Sequence, residues 1–114
     1  MHISSVYPFV AVALLAYSHV GFAENAVVKI LSPTEGAKLD VMAQTKVVYE
    51  VSPGQGGDHT HLYVDGKEVA VLRQLKGSHA METLSPGKHD ICIKVVNKGH
   101  TPIGVEQCVK VTAN

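Results

Sequence analysis

Toward its C-terminal end the chain alternates apolar and polar residues with a period of two. Ile91, Ile93 and Val95 share one face of a predicted strand at residues 88–96, and Val105, Gln107 and Val109 share one face of another at 105–112. Successive side chains on an extended strand point to opposite faces, so this period marks strands with one buried side. Further β-rich runs fall near 27–31, 45–51, 61–64, 68–73 and 78–83, with Gly/Pro punctuation at intervals of about ten residues. The breaks lie at 32–36, 52–57, 65–66, 76–77, 85–87 and 99–102, and Asp65-Gly66 is a two-residue hairpin signal. No segment carries a helical period. The pattern predicts an all-β, seven-strand antiparallel sandwich or barrel.

The last two predicted strands also fix their own register. When partners are chosen so that residue numbers sum to 200, Cys92 faces Cys108, Asp90 faces Lys110 and Lys94 faces Glu106. On the other face Ile91, Ile93 and Val95 meet Val109, Gln107 and Val105. A slip of one residue would send every apolar side chain to the wrong side. The Cys92–Cys108 disulfide this predicts would lie on the outer face and close a loop of about 17 residues, contributing ~3 kcal/mol by restricting the unfolded chain. Thiolate ligation of a metal is the competing reading of the two cysteines.

The N-terminal end reads differently. Residues 6–16 are an apolar stretch interrupted by Tyr7 and Pro8, and the small residues Gly21 and Ala23 flank Phe22 as a signal-peptidase site requires. The stretch is shorter than the ~20 residues that span a bilayer, so a signal peptide at 1–23, cleaved after Ala23, is expected in preference to an anchor. Its leading segment lacks Lys and Arg. His2 and His19 depart with it, leaving a single domain at 24–114 in the periplasm or outside the cell. A domain of that size buries only about 60–65% of its unfolded surface and benefits from a disulfide, which an oxidising compartment permits. Lys and Arg total 10 and Asp and Glu total 10, a zero formal charge that argues against nucleic acid or an anionic membrane as partner.

Among the residues able to carry chemistry, His59 and His61 stand out. Two apart on a strand, they present two imidazoles on one face, a common way for a β protein to offer nitrogen ligands to copper or zinc. Whether other histidines join them depends on the fold.

For the fold, Leu84-Ser85-Pro86-Gly87-Lys88-His89-Asp90-Ile91-Cys92-Ile93 resembles the corner leading into the sixth strand of fibronectin type III and other immunoglobulin-like domains, which carry Tyr where this chain has His89. The resemblance implies a seven-strand immunoglobulin-like sandwich and a structural role for His89. Ser32-Pro33-Thr34-Glu35-Gly36-Ala37-Lys38-Leu39 is similar to the opening of periplasmic copper-carrier domains of the copper-resistance type, which ligate copper through histidines. Those domains differ in having an N-terminal His, where cleavage here leaves Glu24, and a methionine-rich loop. The chain as a whole resembles small exported proteins of unassigned function that combine this opening with a His-x-His pair and a Leu-x-Pro-Gly-x-His corner.

In such a sandwich, connections two apart in sequence lie at the same end. The loops before the third and fifth strands and between the last two strands should therefore gather Asp58, His59, His61, His79 and His100 at one pole, leaving His89 at the other. The third strand pairs with the sixth in this topology, which sets the start of His61's strand beside Val96 and Asn97. His59, His61 and His100 are the first-choice metal ligands and His79 the second. Asp58 would orient an imidazole or cap the turn, and Met81 would add sulfur or sit in the core.

The expected function is an exported metal-binding module, a carrier or buffer for copper ahead of zinc. The alternative is an immunoglobulin-like protein-interaction domain with incidental histidines and a protein partner in the periplasm. An enzyme is the least supported reading. Sandwich superoxide dismutases also place His-x-His on a strand, but their bridging imidazole and aspartate cannot be assigned here, and Ser78 and His79 point to opposite faces of a strand.

Overall fold

The computed structural model describes residues 25–114. The expected signal segment, with His2, His19 and cleavage after Ala23, lies outside the described residues. Eight strands follow: β1 (Val27–Ser32), β2 (Lys38–Leu39), β3 (Lys46–Ser52), β4 (His59–Val64), β5 (Lys67–Leu72), β6 (Lys76–Ala80), β7 (Gly87–Val96) and β8 (Pro102–Ala113). They form a three-stranded sheet in the order β1-β3-β6 and a five-stranded sheet in the order β2-β8-β7-β4-β5.

The sandwich matches the alternation read from the chain. Val28, Ile30, Val47, Tyr49 and Val51 of one sheet pack against Leu62, Leu72, Ile91, Ile93, Val95, Val109 and Val111 of the other. Each fully buried aliphatic side chain contributes roughly 1.5–3 kcal/mol, so this core outweighs any single disulfide. The strand beyond the expected seven is β2. After the turn at 33–36, the Gly36 N–H donates to the Lys110 carbonyl, which carries the chain to the second sheet, where β2 pairs parallel with β8.

Register between β7 and β8 follows the predicted pairing from Asp90–Lys110 through Cys92–Cys108 to Lys94–Glu106. The disulfide is formed, and Lys110 Nζ sits 2.9 Å from Asp90 Oδ1. Gln107, the polar residue on the inner face, accepts a hydrogen bond from the Ile30 N–H of the opposite sheet. The expected Val95–Val105 pair is not formed. A bulge sets Ile103, Gly104 and Val105 opposite the single residue Val95, with Gly104 at φ 92, so that Val96 pairs with Pro102. This bulge shortens the β7–β8 connection to residues 97–101.

The Asp65-Gly66 hairpin is present, with both residues in the left-handed region at φ 53 and φ 84. Such a turn matches the twist of its flanking strands. β6 corrects the expected 78–83: it begins at Lys76, so the Lys76-Gly77 pair lies inside the strand, with Gly77 opposite Tyr49.

Candidate metal centre

β4 is an interior strand between β7 and β5, and its alternation decides where the histidines point. Thr60 and Leu62 face the sandwich core, opposite Val95 and Ile93, so His59 and His61 face the outer surface of the five-stranded sheet. The strand begins at His59, two residues earlier than expected, and His59 rather than His61 pairs with Val96. Although on the outer face, both are buried: His59 is 1% exposed and His61 3%. Over them lies exposed His100, its ring centroid 4.7 Å from that of His59 and 5.1 Å from that of His61.

The short β7–β8 loop explains this position. Asn97 and His100 close a turn, with the His100 N–H donating to the Asn97 carbonyl at 2.9 Å. The Asn97 side-chain oxygen accepts from the Gly99 and Thr101 N–H groups at 2.9 and 3.0 Å. His100 itself holds φ 68, a left-handed conformation uncommon for a residue with a side chain. At the other approach to the site, Gly57 is pressed so closely that a Cβ there would lie 2.2 Å from the Pro53 carbonyl oxygen and 2.6 Å from Val95 Cγ1. The Asp58 N–H then donates to the Val96 carbonyl and leads the chain into His59.

Three ring nitrogens converge. His59 Nε2 is 3.2 Å and His61 Nε2 3.0 Å from His100 Nδ1. All three lie within 4.8 Å of one another. The far nitrogens of the two buried rings are held by carboxylates: His59 Nδ1 donates to Asp58 Oδ2 at 2.9 Å, and His61 Nδ1 donates to Glu68 Oε1 at 3.1 Å. A carboxylate only accepts, so the protons of neutral His59 and His61 sit on Nδ1 and both Nε2 lone pairs face inward. His100 Nδ1 has at most one proton for two lone pairs. A cation at the shared point satisfies all three nitrogens at once.

The two spacings to His100 suit an ion. With metal–nitrogen bonds of ~2.05 Å, two ligands lie about 3.3 Å apart in a tetrahedral arrangement and about 2.9 Å apart at a right angle. The observed 3.0 and 3.2 Å separations fall between these. Carboxylates behind ligand imidazoles fix tautomer and orientation and raise basicity, as the outer ligands of metal sites do.

The other candidates are placed elsewhere. His79 is the fourth residue of β6, opposite Val47, and borders a cavity of about 430 Å³ with Val64, Val69 and Met81 at the other end of the sandwich. The rule about shared loop ends holds for the start of β6, but starting at Lys76 sets His79 about 10 Å along the strand. Met81 is 3% exposed within the core and supplies no sulfur to the three histidines. Asp58 takes the orienting role. Glu68 was not among the expected site residues, yet a register was available: extending the Asp65-Gly66 hairpin puts Glu68 opposite Tyr63, diagonally next to His61.

His89 serves the corner. Its Nδ1 donates to Asp65 Oδ2 at 2.6 Å and its Nε2 to the Ser85 carbonyl at 2.7 Å, tying the β6–β7 connection to the β4–β5 hairpin. The Asp65 bond first and the Ser85 bond second hold the His89 pKa above its ordinary value. Burial pulls the Asp65 carboxyl upward, but the bonds from His89 and the Asp90 N–H outweigh it and leave the group below its ordinary value.

Comparison with known proteins places the fold. The chain is similar to fibronectin III-like modules of CbhA from Clostridium thermocellum, with a TM-score of 0.65 and 16% identity over 77% of this chain and 96% of that one. An engineered protein matches at a TM-score of 0.55 and 22% identity, over 79% of this chain and 20% of its own. The extracellular domain of a putative hybrid two component system from B. thetaiotaomicron matches at 0.51 and 14%, over 80% of this chain and 15% of that one. The chain is thus an immunoglobulin- and fibronectin III-like β-sandwich. No family profile and no curated protein sequence matches it.

Proposed function

We propose that this protein is an exported metal-binding module that carries or buffers a divalent ion, copper(II) ahead of zinc(II), at His59, His61 and His100. The observation that carries the reading is the convergence of three imidazole nitrogens, two of them on rings whose other nitrogens are held by carboxylates. Charge supports a divalent ion: three neutral imidazoles backed by Asp58 and Glu68 carry two negative charges, which a 2+ ion balances. An all-nitrogen ligand set suits copper(II) and zinc(II), whereas a thioether would favour copper(I). Three protein ligands also leave a coordination position open, unlike the closed four-ligand sets of structural zinc. The apolar N-terminal segment and the disulfide support export to the periplasm or beyond. Among the described residues no helix is long and apolar enough to cross a membrane. No nucleophile–base pair is part of this reading, which is one of binding without catalysis.

Calorimetric titration of the purified protein with Cu(II) and Zn(II) tests it. One ion per chain is expected, with binding weakening in acid as protons compete for the imidazoles. Affinity in a His59→Ala, His61→Ala variant equal to that of the wild type would rule the site out.

A second reading, an immunoglobulin-like interaction domain, is favoured by edge strand β5, where Val69 is 49% and Val71 42% exposed. An unpaired strand edge with apolar side chains suits addition of a partner's strand. Its neighbours in fold include modules described as extracellular domains. Capture of one specific periplasmic protein that persists in chelator and is lost in Val69→Lys would favour this reading over the first.

A further inference from the structure

We infer that His100 is the exchangeable ligand of the three-histidine centre, the side through which an ion is loaded and surrendered, and that Asn97 positions it. The inference rests on the metal reading above and adds how the ion moves.

The three imidazoles are held unequally. His59 and His61 project from an interior strand, are 1% and 3% exposed, and have their second nitrogens bonded to Asp58 and Glu68. His100 is exposed and stands on a five-residue loop, and among the described residues its ring bonds run through Nδ1 alone, to His59 and His61. An ion held by all three would be anchored to the sheet by two nitrogens and to the loop by one. Freeing His100 needs only a change of rotamer or loop geometry, whereas freeing either of the others means breaking into a buried, hydrogen-bonded strand. His100 also occupies left-handed backbone at φ 68, where glycine is the low-cost residue, and Gly99 stands beside it. A side chain kept at a strained position marks a site where the side chain itself matters. Asn97 holds that backbone through its two side-chain bonds.

His100 is the exposed ligand and the other two are buried, so the site is open to solvent on the His100 side. An acceptor carrying nitrogen or thiolate donors would therefore enter there, add to the open position and displace His100 before the two strand ligands let go.

The test uses Cu(II) with wild type, His100→Gly, Asn97→Ala and His59→Ala, each followed by its ligand-field spectrum and by the rate of Cu(II) transfer to nitrilotriacetate. His100→Gly relieves the left-handed strain and so keeps the fold. It is expected to bind Cu(II) about tenfold or more weakly, to release it faster, and to regain the wild-type spectrum when millimolar imidazole fills the vacated place. Imidazole is not expected to rescue His59→Ala, whose vacancy is sealed. Asn97→Ala keeps all three rings and is expected to release Cu(II) faster than wild type. Equal rescue of His59→Ala and His100→Gly, no rescue of His100→Gly, or wild-type release rates in His100→Gly or Asn97→Ala would overturn the inference while leaving the metal site standing. Failure of the wild type to take up either Cu(II) or Zn(II) would remove the metal reading and this inference with it.

Discussion

Asp58 Oδ2 lies 2.9 Å from His59 Nδ1, and this contact decides which nitrogen of His59 carries a lone pair. The carboxylate holds the proton on Nδ1 and turns Nε2 toward His100. Glu68 does the same for His61 at 3.1 Å from across the β4–β5 hairpin. Two neighbouring residues of one strand are thus oriented from two different elements, a loop and the adjoining strand.

Removing either carboxylate should therefore weaken metal binding without removing a ligand. Asp58→Ala and Glu68→Ala are each expected to lower Cu(II) or Zn(II) affinity about 10–100-fold, measured by calorimetry. Both carboxylates are partly exposed, so the metal-free fold should survive. Unchanged affinity in both variants would mean that strand packing alone orients the rings.

The clasp between His89 and Asp65 should make stability depend on pH in a defined sense. His89 has a folded pKa above its ordinary 6.5, so its contribution is complete below that pH and fades as pH rises through the higher folded value. Asp65 has a folded pKa below its ordinary 3.8, so its contribution is present above that pH and is lost as acid reaches the depressed value. Denaturant unfolding of wild type and His89→Gln across this range checks it. The wild type should lose stability relative to the variant as pH rises from the ordinary His89 value of 6.5 through the raised folded value, and parallel profiles would show that the clasp does not titrate in the native state.

Opening the disulfide tests the outer face of the β7–β8 ladder. Cys92→Ser with Cys108→Ser is expected to cost ~3 kcal/mol from the freed loop entropy. The core does not contain these sulfurs, so the variant should keep its far-UV spectrum at low temperature. Loss of all β signal would mean that the core cannot hold the sandwich without the bond.

At Gly57, an added methyl group has no room. Gly57→Ala is expected to destabilise the protein by about 1–3 kcal/mol, because a backbone oxygen stands 2.2 Å from the new carbon and cannot swing aside. The displaced strand entry should also move His59 and reduce metal affinity along with thermal stability. A variant that loses neither would show that the loop at 53–57 shifts freely.

Some of these features are local and so were visible in the residues alone. The period of two in β7 and β8 specifies one register, because a slip would expose the apolar face, and the disulfide and the ion pairs follow from it. The same period places His59 and His61 side by side, and Asp65-Gly66 specifies its turn through the backbone angles those residues tolerate. Tertiary structure decided the remainder. Strand order already sets His100 at the pole of the pair, but its contact with them comes with a β7–β8 loop cut to 97–101 where three residues of β8 bulge against Val95, while His79 falls away because β6 starts two residues early. Neither outcome is a matter of alternation. Both depend on where a strand meets its neighbours from distant parts of the chain, and the burial and hydrogen bonding that settle those meetings exist only after the two sheets have closed on each other.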